Sequence, residues 1–413
     1  MMMRCARWSR LILAGAVLLP CVYGNATDDA SKAAENGAPA PPVPSVVPAV
    51  VPTSNWHVRE VDGVEYLPLE DLRSFYKLMP LQPKGRKVVG QRMLGNGEVT
   101  LVFGPAPQEL RIQERLFLLS HAVLEDVSGD LLVSKLDVLQ VIEPVLRPTY
   151  IANRSAVRTV VIDPGHGGHD AGTVTPYVRE ADAALVVALK LGAELRNRGY
   201  EVVYTQEHNL YVSPQGRVDK ANAAPAAIFV SLHLNSGRSD AKGSQVYTIN
   251  PLRKGEKPLD GHAYSQSSIA LALALQSSLV EKVGTEDGGV RRAHYSPLNS
   301  LRCPGVIVEM GYATNPEEGT RLSTEEYQIK LAGALADGVD AFARVMNPAT
   351  NLQVQKAPVV ETPPPDPVKV DPAPAKKAQP TKKKIQQRKR ATRRRAPARK
   401  NTRSQRRNKR RGR

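Results

Sequence analysis

The chain has 413 residues, of which 57 are Lys or Arg and 40 are Asp or Glu, giving a formal net charge of +17. This length favours two or three domains, and a hydrophobic content of 41% excludes a chain that is disordered throughout. Residues 351–413 hold 22 basic and 3 acidic residues, so the rest of the chain is close to neutral. The high net charge therefore belongs to a tail and does not by itself indicate a nucleic-acid-binding protein.

Residues 1–24 have the pattern of a secretory signal peptide. Three arginines precede an apolar run from Leu11 to Leu19, which is too short to span a bilayer comfortably. We therefore expect export to the periplasm or cell envelope. Two alternatives stay open: an uncleaved membrane anchor, and a lipid on Cys21, although the preceding Pro20 fits a lipoprotein signal poorly.

An Ala/Pro-rich segment over residues 25–54 predicts an extended linker. It leads to a small α+β domain, predicted over residues 55–150. The predicted elements are a hairpin over Val61–Pro68 that turns at Asp62-Gly63, a helix over Glu70–Tyr76, and strands over Val99–Phe103, Glu109–Ile112 and Arg115–Ser120. The segment loosely resembles the N-terminal module of copper amine oxidases and offers no cluster of metal ligands.

Residues 155–348 alternate between strand and helix patterns, which is typical of an α/β fold with a mostly parallel sheet flanked by helices. Predicted strands are Thr159–Asp163, Glu201–Thr205, Ala227–His233, Ser244–Ile249 and Gly305–Glu309. Predicted helices are Asp182–Arg198, Ser265–Val283 and one that begins at Ser323.

Apolar spacing predicts which side of the first and last of these helices faces the core. The first carries a stripe of Leu185, Ala188, Leu189, Gly192 and Leu195, and the last carries Leu331, Leu335, Val339 and Phe342. Ser323 followed by Glu326 predicts a capping box at the start of the last helix.

Residues 349–413 are Pro-rich and then Lys/Arg-rich, so they cannot bury enough apolar area to fold and we predict a disordered tail. The tail has no aromatic residue on which bases could stack. We therefore expect no nucleic-acid partner. We expect the tail to contact anionic envelope components instead, such as wall polymers or lipid head groups.

Only Cys303 lies beyond the leader, so we expect no internal disulfide framework. Cys303 precedes Pro304 and an apolar run. We interpret it as a small buried residue and not as a nucleophile.

Four polar side chains follow predicted strands or precede a predicted helix, where ligands bind in an open α/β sheet. His166 follows the first strand in a Gly-rich turn, His233 ends the third strand, and Glu309 ends the last one. Glu180 precedes the first helix, and the loop between His166 and Glu180 is long enough to bring Glu180 to the same edge of the sheet. Two imidazoles and one carboxylate are ligands of catalytic zinc, and a second carboxylate can move protons. The spacing leaves open which glutamate has which role.

The sequence is also similar to the zinc-dependent N-acetylmuramoyl-L-alanine amidases of type 3. The motifs that carry this resemblance are Val161–Gly172, Arg179–Leu185, Arg217–Asn222, Ile228–Asn235 and Pro304–Asn315. The resemblance implies a phosphorylase/hydrolase-like α/β domain that holds one zinc ion. It implies that His166, Glu180 and His233 are the zinc ligands and that Glu309 is the catalytic acid/base.

Some positions depart from that family's pattern. Gln206 stands where an Arg often follows the second strand, and Gly288 or Gly289 stands where a basic residue is usual in the turn before the last strand. These departures concern contacts with the substrate and not the metal site. His169 could be an alternative ligand, but we interpret it as a rim residue because its Gly-rich surroundings do not fix its direction.

The implied reaction is hydrolysis of the amide between N-acetylmuramic acid and L-alanine in peptidoglycan, in cell-wall remodelling or daughter-cell separation. Two alternatives are a zinc peptidase that cuts within the stem peptide and a non-catalytic cell-wall-binding protein. The peptidase would use the same site, whereas a binding protein should lack a ligand or the acid/base. Peptidoglycan is the expected partner, and we expect a monomer.

Overall fold

The computed structural model describes residues 56–80, 89–94, 97–104, 106–152, 154–224, 227–250 and 263–347. The predicted signal peptide, the linker, Cys21 and the predicted tail lie outside these residues. All described residues fall in one compact unit. None of the helices within the described ranges is both long and apolar enough to cross a bilayer.

The N-terminal segment is built mainly from short strands. They are β1 (Arg59–Val61), β2 (Val64–Pro68), β3 (Met79–Pro80), β4 (Val89–Leu94), β5 (Gly97–Phe103), β6 (Glu109–Ile112), β7 (Arg115–Leu118), β8 (Leu124–Glu125) and β9 (Leu131–Ser134). Its helices are α1 (Leu69–Tyr76), α2 (Lys135–Asp137) and α3 (Glu143–Leu146), with a π-helical turn over Val138–Ile142 and a 3₁₀ turn over Pro148–Tyr150.

The predicted hairpin at Asp62-Gly63 is confirmed. Asp62 and Gly63 have φ angles of 51° and 77°, which the two-residue turn between twisted antiparallel strands requires. β1 and β2 pair antiparallel on either side of it. The predicted helix at residue 70 begins one residue earlier, after Pro68.

The C-terminal segment alternates strands and helices as predicted. Its strands are β10 (Thr159–Pro164), β11 (Glu201–Tyr204), β12 (Ala227–Asn235), β13 (Ser244–Ile249), β14 (Asp287–Ala293) and β15 (Gly305–Tyr312). Its helices are α4 (Glu180–Asn197), α5 (Pro214–Ala223), α6 (Ser265–Ser278) with a π-helical turn over Leu279–Val283, α7 (Ser296–Asn299), α8 (Pro316–Leu322) and α9 (Glu325–Met346).

These strands form a mixed sheet. β11, β10, β12 and β15 lie side by side and parallel, with β10 and β12 in the interior. β13 then pairs antiparallel with β15 and parallel with β14. The strand over Asp287–Ala293 was not predicted, since the sequence suggested a turn at Gly288-Gly289. Its two glycines and two arginines hide the strand pattern.

Alternate residues of the central strands feed two cores. Val160 and Ile162 of β10 belong to the larger core, which includes residues of α4, α6 and α9. Val161 belongs to a smaller core on the other face, with Phe229 of β12 and Ile307 of β15. Both faces of β10 are therefore buried, as its continuous apolar run predicts.

The predicted inward stripe of α4 is partly wrong. Ala188, Gly192 and Leu195 are buried, but Leu185 is only half-buried and Leu189 is exposed. Val187 and Leu191 are buried instead. Residues 185–189 are apolar without interruption, so their spacing alone does not fix which side of the helix faces the sheet.

The predicted capping box of the last helix is also wrong. The Ser323 hydroxyl donates to the carbonyl of Thr320 in the preceding helix, and the N-terminal cap of α9 is Thr324, whose side chain makes no capping bond. Only two residues separate α8 from α9, so Ser323 serves the end of α8. The four residues predicted to face inward from α9 are all buried.

Part of the N-terminal segment extends the sheet, in the order β14, β7, β6, β5, β4 and β3, whereas β1, β2, β9 and β8 form a separate four-stranded sheet. The larger core contains residues of both segments. β7 pairs with β14 through Phe117 and Val290, and the backbone N–H of Leu116 donates to Asp287 at 2.9 Å. Asp137 of α2 forms a buried ion pair with Arg292 of β14. The predicted boundary near residue 150 and the resemblance of the N-terminal segment to the copper amine oxidase module stay predictions.

Cys303 is buried, with 7% of its surface exposed, and burial raises the pKa of its thiol to about 12. At pH 8 only about one molecule in ten thousand would carry the reactive thiolate.

In a variant with Cys5 and Cys21 replaced by Ser, we expect Cys303 of the native protein to resist labelling by DTNB and Cys303 of the guanidinium-unfolded protein to react fully. Rapid labelling of the native protein would contradict a purely structural Cys303.

Candidate metal centre

The loop after β10 presents His166 at the rim of the sheet. His166 has a φ of 60°, and Gly167 and Gly168 have φ angles of 119° and 62°. Non-glycine residues adopt such angles only when their surroundings hold them. The carbonyl of His166 accepts hydrogen bonds from Gln206 at 2.7 Å and from Arg217 at 2.7 Å, so the backbone turn is fixed from below.

Gln206 replaces the arginine that often follows this strand in the resembling family, and the structure shows what it does. Its amide nitrogen donates to the carbonyls of Pro164 and His166, and its amide oxygen accepts from the backbone N–H of Leu210. It is buried. The side chain of Gln206 therefore stabilises the loop that carries His166 and is not available for contact with a substrate.

A buried carboxylate ties together the strand ends beneath this loop. Asp163 is 1% exposed and accepts from Thr205 at 2.5 Å, Arg217 at 2.6 Å and Ser231 at 2.6 Å. These partners come from positions in or next to β11, α5 and β12. A buried charge is stable only when it is paired and hydrogen-bonded. Asp163 therefore fixes the positions of β11, α5 and β12 relative to one another.

Glu180 is the first residue of α4 and is 3% exposed. Its two carboxylate oxygens accept from the backbone N–H groups of Thr173 at 2.8 Å and Leu234 at 3.1 Å. Burial alone would raise the pKa of Glu180, but hydrogen bonds with His166 and His233 outweigh it and hold the pKa well below its usual range. The side chain therefore stays ionised.

Both imidazoles meet the same oxygen of Glu180. His166 Nε2 and His233 Nδ1 each lie 3.0 Å from Glu180 Oε1, and the two ring centroids are 4.9 Å apart. The ligand atoms of the three residues all lie within 4.8 Å of one another. Three of the four predicted site residues therefore converge on one point.

Asp170 contacts His166 from the opposite side and was not among the predicted site residues. Its Oδ2 lies 2.9 Å from His166 Nδ1, and its Oδ1 accepts from the backbone N–H of Gly172. Burial lowers the pKa of His166, but Glu180 and Asp170 together raise it to about 9. A carboxylate on the remote ring nitrogen orients a metal-binding histidine. The signal in the sequence is an acid four residues after His166 in the same loop.

Glu309, the fourth predicted residue, lies beside the cluster and not in it. β12 and β15 run in register, with His233 next to Glu309. The Oε2 atom of Glu309 is buried and has no hydrogen-bond partner among the residues that the structure describes. Burial raises the pKa of Glu309 to about 7, with attraction from His233 opposing and repulsion from Glu180 adding to this shift. Glu309 as a whole is half-buried, but a buried carboxyl oxygen of this kind is costly and points to a function.

His169 lies outside the cluster. It is exposed and its ring stacks on Tyr211 with centroids 4.2 Å apart. His208 and His294 also lie outside the cluster.

Two glycines leave the room that the cluster occupies. A Cβ at Gly165 would lie 2.5 Å from His233 Nε2, and a Cβ at Gly172 would lie 2.7 Å from Glu180 Oε2. Two imidazoles and one ionised carboxylate form a donor set that suits zinc. The residues present therefore fit a single divalent metal ion.

Comparisons with known proteins agree with the motifs. A family model described as N-acetylmuramoyl-L-alanine amidase matches residues 160–341. The uncharacterized protein YqiI of Bacillus subtilis is 34% identical over 185 residues, which are 45% of this chain and 84% of YqiI. The chain belongs to the N-acetylmuramoyl-L-alanine amidase family. The resemblance to this family predicted from the motifs is thus confirmed.

Two further family members differ in how much of their length is matched. The amidase LytC of Bacillus subtilis is 30% identical over 187 residues, covering 45% of this chain and 36% of LytC. Among solved structures, the amidase AmiC2 of Nostoc punctiforme is 33% identical, with 44% of this chain and 94% of AmiC2 covered and a TM-score of 0.39. The assignment to the family rests on the sequence matches.

Replacing Gly165 by Ala should disturb the geometry of the cluster although none of the three candidate ligands is substituted. The new methyl group would displace the His233 ring, and misplaced ligands typically weaken metal affinity by about tenfold or more. Zinc affinity, measured by competition with a chelating dye, should fall accordingly. Gly333→Ala is the matched control, because a Cβ there meets nothing within 4 Å. Equal zinc affinity in both variants would contradict this account of the cluster.

Proposed function

We propose that the protein is a zinc-dependent amidase that hydrolyses the bond between N-acetylmuramic acid and L-alanine in peptidoglycan. The observation that carries this proposal is the buried, unpartnered carboxyl oxygen of Glu309 beside a cluster of two histidines and one glutamate. A cluster that served only to stabilise the fold would not need a second, unsatisfied acid next to it.

His166, Glu180 and His233 would hold the zinc ion. Zinc in such a site polarises a carbonyl group and activates water for attack at neutral pH. Asp170 keeps the Nδ1 side of His166 occupied, so that Nε2 faces the cluster. The low pKa of Glu180 keeps a negative charge among the ligands.

Glu309 would move the protons of the reaction. It accepts a proton from the attacking water and then gives that proton to the nitrogen of the departing alanine, while the bond between this nitrogen and the lactyl carbonyl breaks. A carboxyl group whose pKa lies near neutrality can both accept and return a proton. The unpaired Oε2 leaves one oxygen available for this exchange.

Glu309→Gln keeps the size of the side chain but removes its ability to accept a proton. We expect bound zinc to remain and turnover to fall by about 100-fold or more. Zinc can be measured by mass spectrometry of the metal, and turnover by mass spectrometry of digested muropeptides. Glu317→Gln, the same change on an exposed residue of α8, should keep full activity, whereas His166→Ala should lose both zinc and activity.

The digestion products also test the reaction itself. Intact stem peptides indicate an amidase, whereas shortened stems indicate the alternative zinc peptidase. A fully active Glu309→Gln enzyme would overturn the assigned role.

We further propose that the protein is exported and that its basic tail binds anionic material of the envelope. The apolar run after three arginines near the N-terminus supports export. The 22 basic residues of the segment 351–413 support electrostatic attachment. Peptidoglycan is then both the substrate and the surface near which the enzyme is held.

Deleting residues 349–413 should weaken binding to isolated sacculi at low salt. The difference from the full chain should shrink as salt rises, because screening weakens attraction between exposed charges. Cosedimentation across a salt series measures this, and hydrolysis of a soluble muropeptide should be unchanged. Equal binding of both proteins at every salt concentration would rule out the electrostatic role.

A further inference from the structure

A network of neutral polar side chains lies next to Glu309 and joins β12, β15 and β13. Gln245 of β13 stands opposite Glu309 across the antiparallel pair β13–β15 and is 4% exposed. Its amide is bonded to Asn235, Tyr247 and Tyr312, all at 2.9–3.1 Å. His233, Glu309 and Gln245 therefore occupy neighbouring positions on three adjacent strands.

The direction of the hydrogen bonds in this network is fixed at Asn235. The backbone N–H of Ser236 donates to Asn235 Oδ1 at 2.9 Å, so the amide nitrogen of Asn235 is the atom that faces Gln245. That nitrogen donates to Gln245 Oε1, and the Tyr247 hydroxyl donates to the same oxygen. Gln245 must then present its own amide nitrogen to Tyr312.

The hydroxyl of Tyr312 therefore accepts a hydrogen bond from Gln245 at 2.9 Å. A phenolic hydroxyl can accept and donate at once, so its proton is available for another acceptor. Within the described ranges of the chain, no acceptor is bonded to that proton. Tyr312 is half-buried, and one aromatic carbon would lie 3.3 Å from a Cβ at Gly237.

We propose that the Tyr312 hydroxyl donates a hydrogen bond to the alanyl carbonyl oxygen of the departing stem peptide. This inference rests on the proposed amidase function. Glu309 protonates the alanine nitrogen, so the peptide leaves on the side of Glu309. Gln245 stands opposite Glu309 and donates to the Tyr312 hydroxyl, so one side chain links the hydroxyl to the position of Glu309. The alanyl carbonyl is the first acceptor after the scissile nitrogen. A neutral donor matches this neutral oxygen.

The test compares the wild-type enzyme and Tyr312→Phe on two substrates. The first substrate is N-acetylmuramoyl-L-alanyl-D-isoglutamine. The second is the isopropylamide of N-acetylmuramic acid, in which a methyl group replaces the alanyl carbonyl and everything beyond it. Tyr312→Phe should lower kcat/KM by about three- to tenfold on the first substrate, the effect of losing one neutral hydrogen bond. It should leave kcat/KM on the second unchanged.

Tyr247→Phe is the matched control. It removes a hydroxyl from the same Gln245 oxygen but leaves Tyr312 in place, so any loss should be equal on the two substrates. Both variants should bind as much zinc as the wild-type holoenzyme. A second measurement uses the product L-alanyl-D-isoglutamine as an inhibitor, whose inhibition constant should rise by a similar factor in Tyr312→Phe alone.

The outcomes separate the two proposals. If the wild-type enzyme cleaves the first substrate but Tyr312→Phe loses nothing, or loses equally on both substrates without weaker product inhibition, the role of Tyr312 is wrong and the amidase function stands. If the wild-type holoenzyme cleaves neither substrate, the amidase function is wrong and the role of Tyr312 falls with it.

Discussion

The carboxylate of Glu180 is the point on which the site depends. It is buried at the first residue of a helix and accepts from two backbone N–H groups and two imidazoles. The positive end of the helix dipole favours a negative charge at that position. Since one oxygen serves both histidines, the rings meet only if the helix, the loop after β10 and the end of β12 are all in place.

Two glutamates therefore lie near each other in opposite states. Hydrogen bonds with His166 and His233 outweigh the burial of Glu180 and lower its pKa. Burial dominates at Glu309 and raises its pKa to about 7, since no described residue forms a hydrogen bond with its Oε2. One residue is suited to stay charged and the other to exchange a proton. This division follows from their partners and not from their chemical type.

The sequence predicts the strands and the rim residues well because both leave local signals. A buried parallel strand is a continuous apolar run, and the candidate site residues His166, His233 and Glu309 come where such runs end. Three features leave no such local signal. They are the side of α4 that faces the sheet, the antiparallel direction of β13 and the presence of the strand β14. They depend on which strand lies next to which, and that is decided by contacts distant in the sequence. The contact of Asp170 with His166 was missed for a simpler reason, since one acid in a Gly-rich loop has several directions open to it.

The pairing of β7 with β14 also decides what a shortened form of this enzyme would expose. Strands at the border of a sheet expose N–H and C=O groups that invite unwanted association. Here the N-terminal segment covers the border that β14 would otherwise form, and Asp137 neutralises the buried guanidinium of Arg292. A shortened chain that kept only the amidase region would leave the border of β14 unpaired and the guanidinium of Arg292 without its carboxylate.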